Sequence, residues 1–116
     1  MEVTCNMGLD KELGKVTQLP ETYGISQNYP NPFNPVTQIQ YKLPEASEVK
    51  LTIYNILGEH VTTLINENQP AGFYELRWNG RNAFGNQVAT GIYIYRMHAV
   101  GKQAEFHRVK KMLLLS

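Results

Sequence analysis

Apolar and polar residues alternate along most of this chain with a period of two. That spacing puts one side of a β-strand into a core and the other into water. Ile39, Tyr41 and Leu43 alternate with Gln38, Gln40 and Lys42, and Val49, Leu51 and Ile53 alternate with Glu48, Lys50 and Thr52. Pro44-Glu45-Ala46-Ser47 turns the chain between these two strands. Asn55-Ile56-Leu57-Gly58 predicts a hairpin loop, since glycine accepts a positive φ at no steric cost. Val61 to Ile65 predicts a third strand, and the polar stretch Asn66 to Gly72, interrupted by Pro70, predicts a longer connection. Tyr74, Leu76 and Trp78 then share one face, with Glu75 and Arg77 on the other. Asn79-Gly80 and Gly85-Asn86 are turn dipeptides, and a short strand is expected at Gln87–Ala89. Ile92 to Val100, rich in β-branched and aromatic residues, predicts a central strand. Gly101 turns the chain again, and Gln103 to Leu115 predicts the last and longest strand.

Upstream of this pattern, Pro30, Pro32 and Pro35 remove backbone donors and hold the residues before them extended, which excludes helix across 29–35. Asn31 and Asn34 are suited to local turns, and Tyr29 and Phe33 to anchoring this stiff segment over one end of a core. Residues 1–22 show no alternation and are expected to form a linker, with one domain over 23–116. About seven short strands with turn signals between them predict an all-β fold, an immunoglobulin-like antiparallel β-sandwich.

The length of 116 residues suits one domain that buries a core without staples. Eleven basic against ten acidic residues give a formal charge of +1, with no long run of either sign. Nucleic-acid and anionic-membrane surfaces show as a basic excess, so no nucleic-acid partner is expected. The nearest basic cluster is Arg108, Lys110 and Lys111, read as the solvated side of a strand. Cys5 is the only cysteine and cannot form an internal disulfide. Residues 1–25 lack the apolar run of a signal peptide, so an export signal is expected in a larger precursor.

The residues that do chemistry are scattered. His60, His98 and His107 fall on different strands without short metal-ligand spacing, and Asp10 is the sole aspartate for a Ser-His-Asp arrangement with Ser26, Ser47 or Ser116. The carboxylates show no pairing, and the glycines are isolated turn residues, not a phosphate loop. Neither catalysis nor a cofactor nor a metal is expected. Trp78 and Tyr74 could be imagined as a sugar-stacking platform, but their spacing with Leu76 favours core packing.

Several motifs, in order, resemble the C-terminal sorting domains of the type IX secretion system, themselves similar to the immunoglobulin-like domain of the flagellar hook-capping protein FlgD. They begin with Asn28-Tyr29-Pro30-Asn31-Pro32-Phe33-Asn34-Pro35, Thr37, Ile39, Tyr41 and Leu43-Pro44. Val49-Lys50-Leu51-Thr52-Ile53-Tyr54-Asn55-Ile56-Leu57-Gly58 with Val61, then Ala71-Gly72-Phe73-Tyr74 and Trp78-Asn79-Gly80-Arg81, continue the series. Thr90-Gly91-Ile92-Tyr93 and Lys111-Met112-Leu113-Leu114-Leu115 complete it. The resemblance implies a non-catalytic module at the end of a secreted or cell-surface protein of a Gram-negative bacterium. Its implied partners are an upstream cargo domain, the outer-membrane secretion machinery and a sortase-like protease. The implied recognition residues are Gly91, Tyr93, Lys110, Lys111, Met112, Leu113 and Leu114. The chain departs from the family where Asn79 and Asn82 replace common aspartates, so no metal site is carried over, and where it finishes on Ser116 instead of a basic residue. A carbohydrate-binding or adhesive module and an assembly domain like that of the flagellar cap are the alternative readings.

Ile92 and Ile94 lie opposite Tyr93 and Tyr95, and Leu113 and Leu115 lie opposite Met112 and Leu114. Both sides of the last two strands are therefore apolar, which predicts a contact with a second copy or with the secretion machinery.

Overall fold

A computed structural model describes residues 19–115; the expected linker over residues 1–22 lies almost wholly outside the described residues. Seven strands fill them: β1 (Gly24–Ile25), β2 (Thr37–Leu43), β3 (Ser47–Asn55), β4 (His60–Gln69), β5 (Gly72–Trp78), β6 (Gly91–Gly101) and β7 (Glu105–Leu114). They form two antiparallel sheets, ordered β1-β2-β5 and β4-β3-β6-β7. No helix among the described residues is long and apolar enough to cross a membrane.

The alternation along the strands becomes the two sides of each sheet. Ile39, Tyr41 and Leu43 of β2 and Trp78 of β5 face Val49, Leu51 and Ile53 of β3, Tyr93, Tyr95, Met97 and Ala99 of β6, and Met112 and Leu114 of β7. All of these are buried. The aromatic residues meet at angles that suit their ring quadrupoles: Trp78 lies edge-on to Tyr93 at 5.3 Å, while Tyr41 and Tyr74 stack at 5.2 Å across the β2–β5 pair.

Five sequence expectations need correction. The last strand is not the longest: β7 has ten residues and β6 eleven. β1 was not anticipated: its two residues pair with Lys42 and Tyr41, too short a run to show any periodicity. Gln87–Ala89 is not a strand and contributes one bridge, Arg81 to Gln87. Asn66 to Gln69 belongs to β4 and is not a connection, because these residues bond through their main chain to Ser47–Lys50 while most of their side chains face water. The Tyr29 side chain is 78% exposed and holds the segment only through its main-chain bridge to Gln38; Phe33 alone of that pair enters the core, at 2% exposure. The total of seven strands stands with one addition and one removal.

The proline-rich segment is held by an asparagine. Asn28 is buried, and its Nδ2 donates to Pro30 O at 3.1 Å and to Thr37 Oγ1 at 3.0 Å, while its Oδ1 accepts from Gln27 Nε2 at 2.7 Å. Thr37 Oγ1 donates in turn to Pro30 O at 2.8 Å. An unpartnered amide here would cost the full desolvation of its polar atoms, so each partner matters.

Candidate functional site

The seven recognition residues implied by the resemblance are brought together by the β6–β7 register. Gly91 pairs with Leu114, Tyr93 with Met112 and Tyr95 with Lys110, while Ile92 pairs with Leu113 and Ile94 with Lys111. They do not share one environment. Tyr93, Met112 and Leu114 are core side chains, and the Tyr93 hydroxyl donates to Ala89 O at 2.6 Å. Lys111 is exposed on the outer face, Leu113 is half-buried beside it, and Lys110 is half-buried on the side of β7 that turns toward the core. Gly91 adopts φ of 154°, a conformation that L side chains rarely take, with open space where a Cβ would stand.

β7 is the outer strand of its sheet, and the proline-rich segment closes part of its free edge. Phe33 N donates to Leu113 O at 3.0 Å, Leu115 N donates to Phe33 O at 2.8 Å, and Leu113 N donates to Asn31 Oδ1 at 3.0 Å. Gln27 Nε2 donates to Lys111 O at 2.7 Å. Asn31, expected to set a local turn, instead reaches across to the last strand. The prolines help by holding the segment extended, so that the Phe33 N–H and C=O can both face the edge. Phe33 drops its ring into the core 5.7 Å from that of Trp78.

Gly80 lies beneath this junction with φ of 74°, and a Cβ there would come within 3.3 Å of Pro35 O and 3.6 Å of the Leu114 side chain. In the neighbouring loop, the Asn79 and Asn82 carboxamide oxygens are occupied by main-chain N–H groups. Asn79 accepts from Arg81, and Asn82 from Phe84 and Asn86 at 3.0 Å each. Trp78 is 2% exposed, and its Nε1 donates to Arg81 O at 2.9 Å, so its ring presents no face to a sugar.

Sequence reasoning missed two constellations. The first is Asn28 with Tyr95: Asn28 N donates to the Tyr95 hydroxyl at 2.9 Å, which donates to Ser26 O at 2.7 Å. Burial pushes the Tyr95 phenol up to about 12, against the pull of its bond from the Asn28 backbone. An asparagine at the head of a donor-poor proline run was the available signal. The second lies on the outer face, where the register sets His98 opposite His107 with rings 5.9 Å apart, and His98 Nε2 bonds the Glu105 carboxylate. Arg96 completes the lining of this open surface. Among the described residues, no group of three or more His, Cys, Asp or Glu is arranged to hold a metal ion.

Known proteins share this architecture. The dimeric latent form of PorU from Porphyromonas gingivalis superposes with a TM-score of 0.65 at 18% identity, over 78% of this chain and 9% of PorU. FlgD from P. aeruginosa superposes with a TM-score of 0.54 at 22% identity, over 67% of this chain and 59% of FlgD. Both likenesses are of fold, and the chain spans only part of either protein. No curated protein matches the sequence. The FlgD Ig-like domain profile matches residues 34–103, more than half of the 116. The chain therefore belongs to the FlgD immunoglobulin-like domain family.

Proposed function

We propose that this domain is a non-catalytic sorting and interaction module that directs a larger secreted protein across a bacterial outer membrane through the type IX secretion system. Its upstream cargo would be delivered to the cell surface, with the secretion machinery and a sortase-like protease as partners. The reading is supported by the ordered motifs shared with sorting domains. The observation that carries it is the placement of the last of these motifs: Lys111 to Leu114 end the outer strand β7, and residues of the first motif, Asn31 and Phe33, bond Leu113 and Leu115. A folded edge of this kind is read by its shape and main chain, with the Lys110 and Lys111 cations beside it as the side-chain contribution.

The test is a secreted reporter fused ahead of the full chain in a bacterium that has the machinery. Deleting residues 110–116 is expected to hold the reporter in the periplasm. Because Met112 and Leu114 are core side chains, the deletion also removes packing. Lys110→Glu with Lys111→Glu, which leaves the core intact, is therefore the companion variant and is expected to reduce surface delivery. Normal delivery by both variants would overturn the proposal.

The family match favours a second reading, an assembly domain like that of FlgD. It predicts ordered oligomers of the full chain in light scattering, where the sorting reading needs none.

A further inference from the structure

The two free edges of the larger sheet are not alike. β4 is irregular, with register shifts between Leu51 and Thr52 and between Ile53 and Tyr54 of its partner β3, and Ala83 N donates to its Val61 O at 3.0 Å. Shifts and caps of this kind discourage strand addition. β7 runs without a break from Glu105 to Leu114 against β6.

Main-chain groups of an edge strand point outward at every second residue. The bonds to Lys111 O, to Leu113 N and O, and from Leu115 N fix the outward phase of β7 on the odd-numbered residues. The N–H and C=O groups of Val109 and His107 therefore point away from β6 as well, and no described residue covers them. The proline-rich segment stops at Lys111. From Glu105 to the Lys111 N–H the edge is open over about 20 Å, the Lys111 carbonyl being taken by Gln27.

The open half is basic. Arg108 and Lys111 are exposed and Lys110 half-buried, and among the described residues no carboxylate pairs with any of them. Arg108 lies over the Phe106 ring at 4.9 Å, which holds its guanidinium beside the strand. The one carboxylate on this half of the strand, Glu105, bonds His98. Glu21 and Glu45 line the surface beside Arg108 without pairing with it, and among the described residues nothing acidic pairs with Lys110 or Lys111. Cations on an edge oppose pairing with another copy: self-pairing centred on Val109 sets Arg108 against Lys110 and Lys111 against His107. They favour a strand of opposite charge.

We infer that the open half of β7, from Glu105 to Lys111, receives an extended acidic segment of a partner protein as an added strand. The inference rests on reading the domain as a recognition module and names the partner's chemistry. The Val109 and His107 main chain supplies the hydrogen bonds. Carboxylates on one side of the incoming strand meet Arg108 and Lys110, and those on the other side meet Lys111.

The test uses the full 116-residue chain and a synthetic octapeptide of alternating glutamate and valine, with a lysine–valine peptide as its counterpart. Amide hydrogen exchange is read residue by residue. The acidic peptide is expected to slow exchange at His107, Val109 and Lys111, with affinity falling as salt rises, and the basic peptide to leave exchange unchanged. Val109→Pro removes one outward donor at a position where an edge strand tolerates proline, and is expected to abolish binding. Lys110→Glu with Lys111→Glu keeps the main chain intact and is expected to weaken binding roughly tenfold or more.

Unchanged exchange at saturating acidic peptide, equal binding of the basic peptide, or shifts confined to Ile92 and Ile94 would overturn the inference. So would a dimer that protects Val109 without peptide. Binding is read with no export machinery present, so its failure overturns the edge inference alone. Cargo delivered without an intact β7 overturns the sorting reading alone.

Discussion

The Tyr95 hydroxyl accepts a hydrogen bond from the main-chain N–H of Asn28, tying the middle of β6 to the head of the proline-rich segment across 67 residues of sequence. Its own proton goes to Ser26 O. One phenol thus satisfies a donor and an acceptor of a segment that is otherwise bonded to β2, through Ser26 N to Gln40 O and Tyr29 N to Gln38 O.

Tyr95→Phe leaves Asn28 N and Ser26 O without that oxygen. Since Tyr95 is fully buried and Asn28 nearly so, the expected loss is about 1–3 kcal/mol, the cost of unpaired buried polar groups. Urea denaturation with Tyr54→Phe, a half-exposed tyrosine of β3, as the control checks this. A loss no larger than the control's would mean that water replaces the phenol.

Phe33→Ala removes the one apolar side chain of the proline-rich segment that enters the core. A loss of about 3–5 kcal/mol is expected for a buried phenylalanine. The same variant should speed amide exchange at Leu113 and Leu115 more than at Val49 in the sheet centre, because Phe33 and Asn31 hold the former. Uniform acceleration would indicate general loosening instead.

Trp78 reports on the carbohydrate alternative. A ring 2% exposed, bonded through Nε1 and flanked by Phe33 and Tyr93, should emit at short wavelength and resist quenching by iodide. Titration with soluble glycans should leave the emission unchanged. A glycan-dependent shift, or ready quenching, would restore the stacking platform.

Alkaline pH should unfold the domain in a defined window. Burial pushes the Tyr41 and Tyr95 phenols up to about 12, from the ordinary value of 10.0. Their folded-state values are raised, so the stabilisation is complete below about pH 10 and is lost as pH rises toward 12. In that window the native state keeps protons that the unfolded chain has released. Each phenol contributes a fall of about 1.4 kcal/mol per pH unit. Urea midpoints at rising pH check this, and Tyr95→Phe should make the decline shallower.

Legibility followed from the reach of the interactions involved. Val49, Leu51 and Ile53 announce their strand because successive Cβ atoms point to opposite faces, a property of the local backbone. Gly58 and Gly80 announce their turns because only glycine takes positive φ without cost, and both do so here. The polar end of β4 was hidden because its bonds are main chain to main chain, and side chains facing water reveal nothing about them. β1 was hidden by its brevity.

Alternation and turn chemistry, both read within a few residues, determined the all-β class and most strand positions. Family resemblance added the expected recognition residues, and the tertiary structure decided what they can do. Tyr93, Met112 and Leu114 became core, while Lys111 was left facing outward. It also decided that Asn28 would be the hub of the proline-rich segment and that this segment would close one half of β7 and leave the other open. Those outcomes depend on groups as far apart in sequence as Gln27 and Lys111 meeting in space. No local pattern encodes such a meeting, because it is set by how two sheets pack and where the chain between them has room to lie.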